Sequence, residues 1–141
     1  MATLFTRILN REIPGRFVWE DELCAAFTSI EPLQPGHTLV VPRREVDHWW
    51  DMPEQEWTHI GAVARHIGRA QRTAFTPVRI GLLVQGYEIP HAHVHVWPSQ
   101  SSADFDLTAA ATDVPAGELD AAAERLRSAL REAGHGDAVP A

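Results

Sequence analysis

Pro90-His91-Ala92-His93-Val94-His95-Val96-Trp97-Pro98 carries a histidine at every second position over one short stretch. On a β-strand alternate side chains share a face, so His91, His93 and His95 project together, successive Cα atoms about 6–7 Å apart. Ala92, Val94 and Val96 then point the other way, into a core. On a helix the same spacing turns each imidazole about 200° from the last and scatters the set. Alternation with β-branched valine favours the strand. A row of imidazoles on one face admits a metal site, because neutral imidazole ligates zinc, copper and iron. It equally admits catalysis at phosphorus, with one ring attacking while its neighbours bind phosphate oxygens. A merely solvated face is the third reading, and strict alternation of three counts against it. The metal reading lacks a fourth ligand at motif-like spacing: Glu88 precedes the row across Pro90, and no carboxylate follows until Asp104. Spacing alone leaves metal and phosphorus chemistry level.

Outward from this strand, predicted over residues 91–97, the chain reads as short strands and helices. The aliphatic run 78–84 predicts a strand, and Gly86 and Pro90 punctuate the link between the two. Asp51-Met52-Pro53-Glu54 predicts a helix start, with Asp51 as cap, Pro53 in the first turn and Glu54 closing a capping box. That helix runs to about residue 74, with Trp57, Ile60, Ala64 and Ile67 on one face. Trp49 and Trp50 are expected to pack near its start. Residues 37–41, 23–30 and 17–20 predict three further strands, separated by Pro35-Gly36 and Asp21-Glu22. Residues 3–10 predict a short helix carrying Leu4, Phe5, Ile8 and Leu9, broken by Pro14-Gly15. Downstream, 99–116 is rich in small and polar residues and reads as a loop. Residues 115–133 predict a last helix with Leu119, Ala122, Ala123, Leu126 and Leu130 on one stripe, Gly134 as its C-terminal cap, and a fraying tail over 134–141. Short links between neighbouring strands favour antiparallel pairing. The expected fold class is therefore α+β. It has an antiparallel sheet of about five strands, one long central helix and a C-terminal helix, in a single domain over 1–141 with its core at 3–98.

The chain has 141 residues, which is one domain's worth and enough to bury a core without staples. Its formal charge is −7, which argues against nucleic acid as a partner, since binding there needs a positive field toward phosphate. All 12 basic residues are arginine, so no lysine is present to form a Schiff base or anchor a phosphate. Cys24 is the single cysteine and excludes an internal disulfide or a Cys-based zinc cage. No apolar run approaches the ~18 residues of a membrane span. Residues 1–7 lack the apolar stretch of a secretory signal. No membrane partner and a cytoplasmic location are the expectations.

His91-Ala92-His93-Val94-His95-Val96-Trp97 resembles the signature of the histidine triad (HIT) family. The likeness extends to Leu4-Phe5-Thr6-Arg7-Ile8-Leu9-Asn10-Arg11-Glu12-Ile13-Pro14, and to Val18-Trp19-Glu20-Asp21 with Ala26-Phe27. It also takes in Pro35-Gly36-His37-Thr38-Leu39-Val40-Val41-Pro42 and Gly86-Tyr87-Glu88-Ile89-Pro90. The resemblance covers about residues 3–98 in order. It implies the same α+β fold, a homodimer, and a purine nucleotide or nucleotide conjugate as partner; no cofactor is expected. It implies reaction at the α-phosphate as a phosphoramidase, hydrolase or nucleotidyl transferase. By resemblance His93 is the nucleophile, flanked by His91 and His95, with His37 as a further active-site histidine. Leu4, Phe5, Phe27 and Ile30 match the base pocket, and Gly86, also counted as substrate-binding, lies in the segment that leads into the triad.

The departures from the family pattern matter equally. Where zinc-bearing bacterial members have two cysteines and a histidine, this chain has Thr3, Thr6 and Glu45, so that structural zinc site is expected to be absent. His48 is a poor stand-in, since threonine ligates zinc weakly. Ser29 stands where an aspartate binds the ribose, and offers one weaker bond in place of a charge-assisted pair. Glu88 stands where a serine or threonine touches the phosphate or leaving group, and its carboxylate repels a phosphate. Two alternatives follow: a nucleotide-binding or interaction protein with little turnover, and a metal-dependent enzyme using the histidine row.

Overall fold

The computed structural model describes residues 2–140. Five strands form one antiparallel sheet: β1 (Phe17–Glu20), β2 (Cys24–Thr28), β3 (Thr38–Pro42), β4 (Arg79–Leu83) and β5 (Val94–Ser99). Their order is β1-β2-β3-β5-β4, so the histidine strand lies inside the sheet. The helices are α1 (Leu4–Leu9), α2 (Glu54–Phe75) and α3 (Ala116–Leu130). The α+β architecture is as the sequence predicts. Among the described residues, no helix is long and apolar enough to cross a membrane.

The sheet is covered unequally on its two faces. One carries Val18, Cys24, Ala26, Val40, Val94 and Val96 against the buried stripes of α2 and α3. The other carries Phe17, Ala25, Phe27, Leu39 and Val41 against Phe5, Ile8 and Leu9 of α1. Each fully buried valine, leucine, isoleucine or phenylalanine among these is worth roughly 1.5–3 kcal/mol. Leu39 pairs with His95 and Val40 with Val94, which puts His95 on the α1 face and the valines in the larger core. The alternation read from the sequence is thus realised.

Several boundaries differ from expectation for local reasons. Asp51 does not cap α2 and no capping box forms. Pro53 is the N-cap, and Asp51 lies in a 3₁₀ turn, Trp49–Asp51. The residue before a proline is pushed out of helical space, and Met52 is extended at φ −69°, ψ 138°, so the helix starts only after Pro53. That turn leaves Trp49 and Trp50 42% and 65% exposed, Trp50 stacked on His48 instead of packed inward. β5 begins at Val94: His91, Ala92 and His93 precede the ladder, where the Ala92 N–H donates to the Val46 carbonyl at 2.7 Å. The helical region at the C-terminus leaves α geometry after Leu130, and Gly134 takes φ +96°. The segment after it turns back, and Ala138 and Val139 pack on the core instead of fraying. Two 3₁₀ turns, Ser102–Phe105 and Leu107–Ala109, punctuate the 99–116 loop.

Candidate active site

The site is built on the α1 face of β5 and the residues just ahead of it. The ring of His93 lies 4.9 Å from that of His95 and 4.7 Å from Phe5, centroid to centroid. His37, the residue before β3, lies 5.2 Å from His95. The four histidines are therefore brought together, three of them buried and His95 partly so.

Their hydrogen bonds assign their tautomers. His93 Nδ1 lies 2.9 Å from the His91 carbonyl oxygen, which can only accept. Nδ1 therefore carries the proton, and in the neutral ring the Nε2 lone pair is free. Burial pushes the His93 pKa down, and the hydrogen bond to the His91 carbonyl and then the nearby Glu88 charge only partly offset this. His37 Nδ1 accepts the Leu33 N–H at 2.9 Å, so its proton sits on Nε2 and is donated to His95 Nδ1, also at 2.9 Å. His95 must then carry its own proton on Nε2, the atom left without a protein partner among the described residues. Burial and then the charge of His93 lower His37 to about 4, while burial, His93 and His37 lower His95 to about 3. Both are neutral at pH 7. The pair presents one outward N–H donor beside the His93 lone pair.

His91 is arranged differently. Its Nε2–H donates to the Pro42 carbonyl at 2.8 Å, and its Nδ1 accepts the Thr3 hydroxyl at 2.7 Å. Both ring nitrogens are engaged and the residue is fully buried. Its ring has no donor to spare for a phosphate, and what it offers His93 is its backbone carbonyl. Thr3 also caps α1, its Oγ1 accepting the Thr6 N–H at 3.1 Å, and its own N–H donates to Glu45 at 2.8 Å. Thr3, Thr6 and Glu45 are thus tied to each other and to His91 by hydrogen bonds. His48 instead stacks on Trp50.

Two supports were not legible as site residues. Leu33 acts through its backbone N–H and carries no side-chain signal. Gln71 is fully buried on α2 and donates from Nε2 to the carbonyls of Gly36 and Val96, at 2.9 Å each, bracing the entry to β3 against β5. A glutamine four residues after Ile67, on the apolar face, was the available clue. Three potential metal ligands, Asp21, Cys24 and His59, also cluster, around the β1–β2 turn and α2. There burial raises the Asp21 carboxyl, but hydrogen bonds from Trp19, His59, Leu23 and Cys24 outweigh it and hold it at about 2. Burial, and then the Asp21 charge, push the Cys24 thiol far up.

The HIT domain model matches residues 10–102. The chain belongs to the HIT family. An uncharacterized HIT-like protein of Methanocaldococcus jannaschii is 35% identical over 99 residues, spanning 67% of this chain and 77% of that one. The asymmetrical bis(5'-nucleosyl)-tetraphosphatase of Schizosaccharomyces pombe is 32% identical over 98 residues, 66% of this chain and 53% of the enzyme. A hypothetical histidine triad nucleotide-binding protein from Sulfolobus tokodaii superposes with a TM-score of 0.81 at 25% identity, covering 91% of each chain. Relatives in the family thus include a nucleotide hydrolase and a protein described as nucleotide-binding.

In this HIT chain the expected base-pocket residues divide. Phe5 and Phe27 are buried edge-to-face against each other, with Phe5 also against the rings of His91 and His93. Leu4 and Ile30 remain 43% and 66% exposed, leaving apolar surface free to stack. Ser29 is half-buried, its hydroxyl accepting the Glu31 N–H at 3.1 Å and its N–H donating to the His37 carbonyl at 2.8 Å. Gly86 takes φ +78°, a left-handed turn into the triad segment, and Glu88 is exposed.

Proposed function

We propose that this HIT-family chain is a nucleotide hydrolase or nucleotidyl transferase acting at the α-phosphate of a purine nucleotide or nucleotide conjugate. The observation that carries it is the Nδ1–H of His93 on the His91 carbonyl, which fixes the lone pair on Nε2. His93 Nε2 attacks the α-phosphorus. The P–N bond forms as the bond to the leaving group breaks, and the leaving group takes the electron pair and a proton from water. Nδ1–H stays on the carbonyl as the ring becomes cationic. The Nε2–H of His95, oriented by His37, donates to a phosphate oxygen and stabilises the charge that develops there. Water then attacks phosphorus, releasing the nucleoside monophosphate and restoring His93. Two steps replace one difficult displacement. His91 is a positioning residue in this scheme, through its carbonyl.

Adenosine 5'-phosphoramidate is the test substrate. Wild type should turn over and form a nucleotidyl adduct on His93 that mass spectrometry of quenched reactions detects. His93→Ala should lose activity by about 10³-fold or more. A His93→Ala rate equal to wild type would overturn the assignment. Ser29 and Glu88 favour a second reading, nucleotide binding with little turnover. Adenosine monophosphate binding by wild type with no measurable rate would select it. We also read the chain as a homodimer. β4 is an open edge of the sheet, with Leu82 within it and Val78 just before it 58% and 60% exposed, and light scattering should report twice the 15.7 kDa chain mass.

A further inference from the structure

The helices cover the sheet face away from the triad, and along their outer seam lies a pocket of about 540 Å³. Arg65, His66, Arg69 and Arg72 of α2 line it, together with Ala133 and His135 beyond α3. Eight of the twelve arginines hydrogen-bond to a carboxylate or a backbone carbonyl. Among the described residues Arg7, Arg65, Arg69 and Arg72 do not, and three of these four line this one pocket. His66 and His135 likewise have no hydrogen-bond partner among the described residues. Their rings lie 4.3 Å apart, and His66 stacks on the buried Trp19 at 5.6 Å and 16°. Burial first, then His135, Arg65, Arg69 and His59, push the His66 pKa down.

A chain with 19 acidic residues has the means to pair these cations and does not. Like charges at i and i+4 disfavour the helix that bears them, so the cluster is no gain to folding. Arg65, Arg69 and Arg72 form one ridge about 10 Å long, more than one phosphate group spans. Guanidinium forks match phosphate oxygens two at a time. The overall negative charge disfavours a nucleic-acid strand. We propose that this seam binds an oligophosphate, a small anion of two or more linked phosphates, held by Arg65, Arg69 and Arg72 above the His66–His135 pair. The ligand is either a free inorganic oligophosphate or the phosphate tail of a nucleotide. The site lies on the opposite side of the sheet from the triad and stands whether or not the triad turns over.

Calorimetric titration of the full chain with sodium tripolyphosphate at physiological salt tests this. Wild type and His93→Ala should both bind one equivalent at the seam. Arg65→Gln/Arg69→Gln should lose at least about tenfold in affinity, with an unchanged circular dichroism spectrum, because both side chains are exposed. Arg79→Gln, which removes an exposed arginine elsewhere, should bind as wild type. Ring resonances of His66 and His135 should move on titration in the wild type. Adenosine triphosphate binding more tightly than tripolyphosphate, with the same arginine dependence, would identify nucleotides as the source. Equal or weaker binding would identify the free anion. Absence of binding, loss in Arg79→Gln equal to that in the double variant, or binding that disappears only in His93→Ala would each overturn the proposal.

Discussion

A single hydroxyl, that of Thr3, links the start of α1 to the histidine row. It accepts from Thr6 N–H and donates to His91 Nδ1, so it fixes both a helix end and a tautomer. Thr3→Val should lower stability by about 1–3 kcal/mol, the cost of a lost cap plus a buried acceptor left unpaired. Urea unfolding measures it, and Thr3→Ser should recover most of the loss. Glu88 is a different kind of residue: exposed, but near enough to raise the basicity of His93. Glu88→Ser removes a charge that opposes the phosphate and one that holds protons on the nucleophile. Phosphoramidate kcat/KM should rise about 2- to 10-fold, an exposed charge at this range being worth around 1 kcal/mol. The acidic limb of the pH–rate profile should also move to lower pH. An unchanged profile would show that Glu88 does not act on His93. At this scale the triad's common face was legible because strand periodicity dictates it. The diversion of His91 into structural bonds was not, since a backbone carbonyl and a hydroxyl 88 residues away leave no trace in the local pattern.

Among the elements, the loop into β3 does the most positioning. Gly36 has φ +93°, and a Cβ there would stand 2.4 Å from the Phe75 ring at the end of α2. Gly36→Ala should therefore cost about 2–5 kcal/mol, combining left-handed strain with overpacking, and should disturb His37 one residue on. Gly61, also on α2, would place a Cβ in open space, so Gly61→Ala should stabilise by up to about 1 kcal/mol. Opposite signs from one substitution type, read in urea, test whether close approach or glycine content governs this region. The strands were legible for a related reason: alternating or continuous apolar runs between glycine and proline breaks have few other ways to be buried. Helix starts were less so. Asp51 and Glu54 have the chemistry of a capping box, but Pro53 forces Met52 extended and severs the box. The turn-back of Ala138 and Val139 depends on where α3 ends relative to the core, which is tertiary information.

For the molecule as a whole, burying several neutral histidines sets the response to acid. In the unfolded chain each histidine takes up a proton near pH 6.5. In the folded chain burial holds His37 at about 4 and His95 at about 3, and lowers His91 and His93 as well. Between about pH 6.5 and 4 the unfolded state therefore binds more protons than the native state, and stability must fall as pH falls. Asp21 acts with the same sign in a lower window, from its ordinary 3.8 down to about 2, where its hydrogen-bonded carboxylate is finally protonated. The urea midpoint should be flat between about pH 7.5 and 8, decline through the histidine window and decline further near pH 3, and it should also fall in alkali, where the unfolded chain's Cys24 thiol ionises and the buried one does not. Each histidine kept neutral in the fold contributes a slope of up to about 1.4 kcal/mol per pH unit. His37→Asn keeps an acceptor for the Leu33 N–H, loses the donor toward His95 and removes the titrating ring. At pH 7.5 it should cost stability through imperfect fit, yet between pH 6.5 and 4.5 its stability should fall less steeply than that of wild type. Parallel curves would mean that His37 is not held neutral by the fold, and that its Nδ1 does not accept the Leu33 N–H.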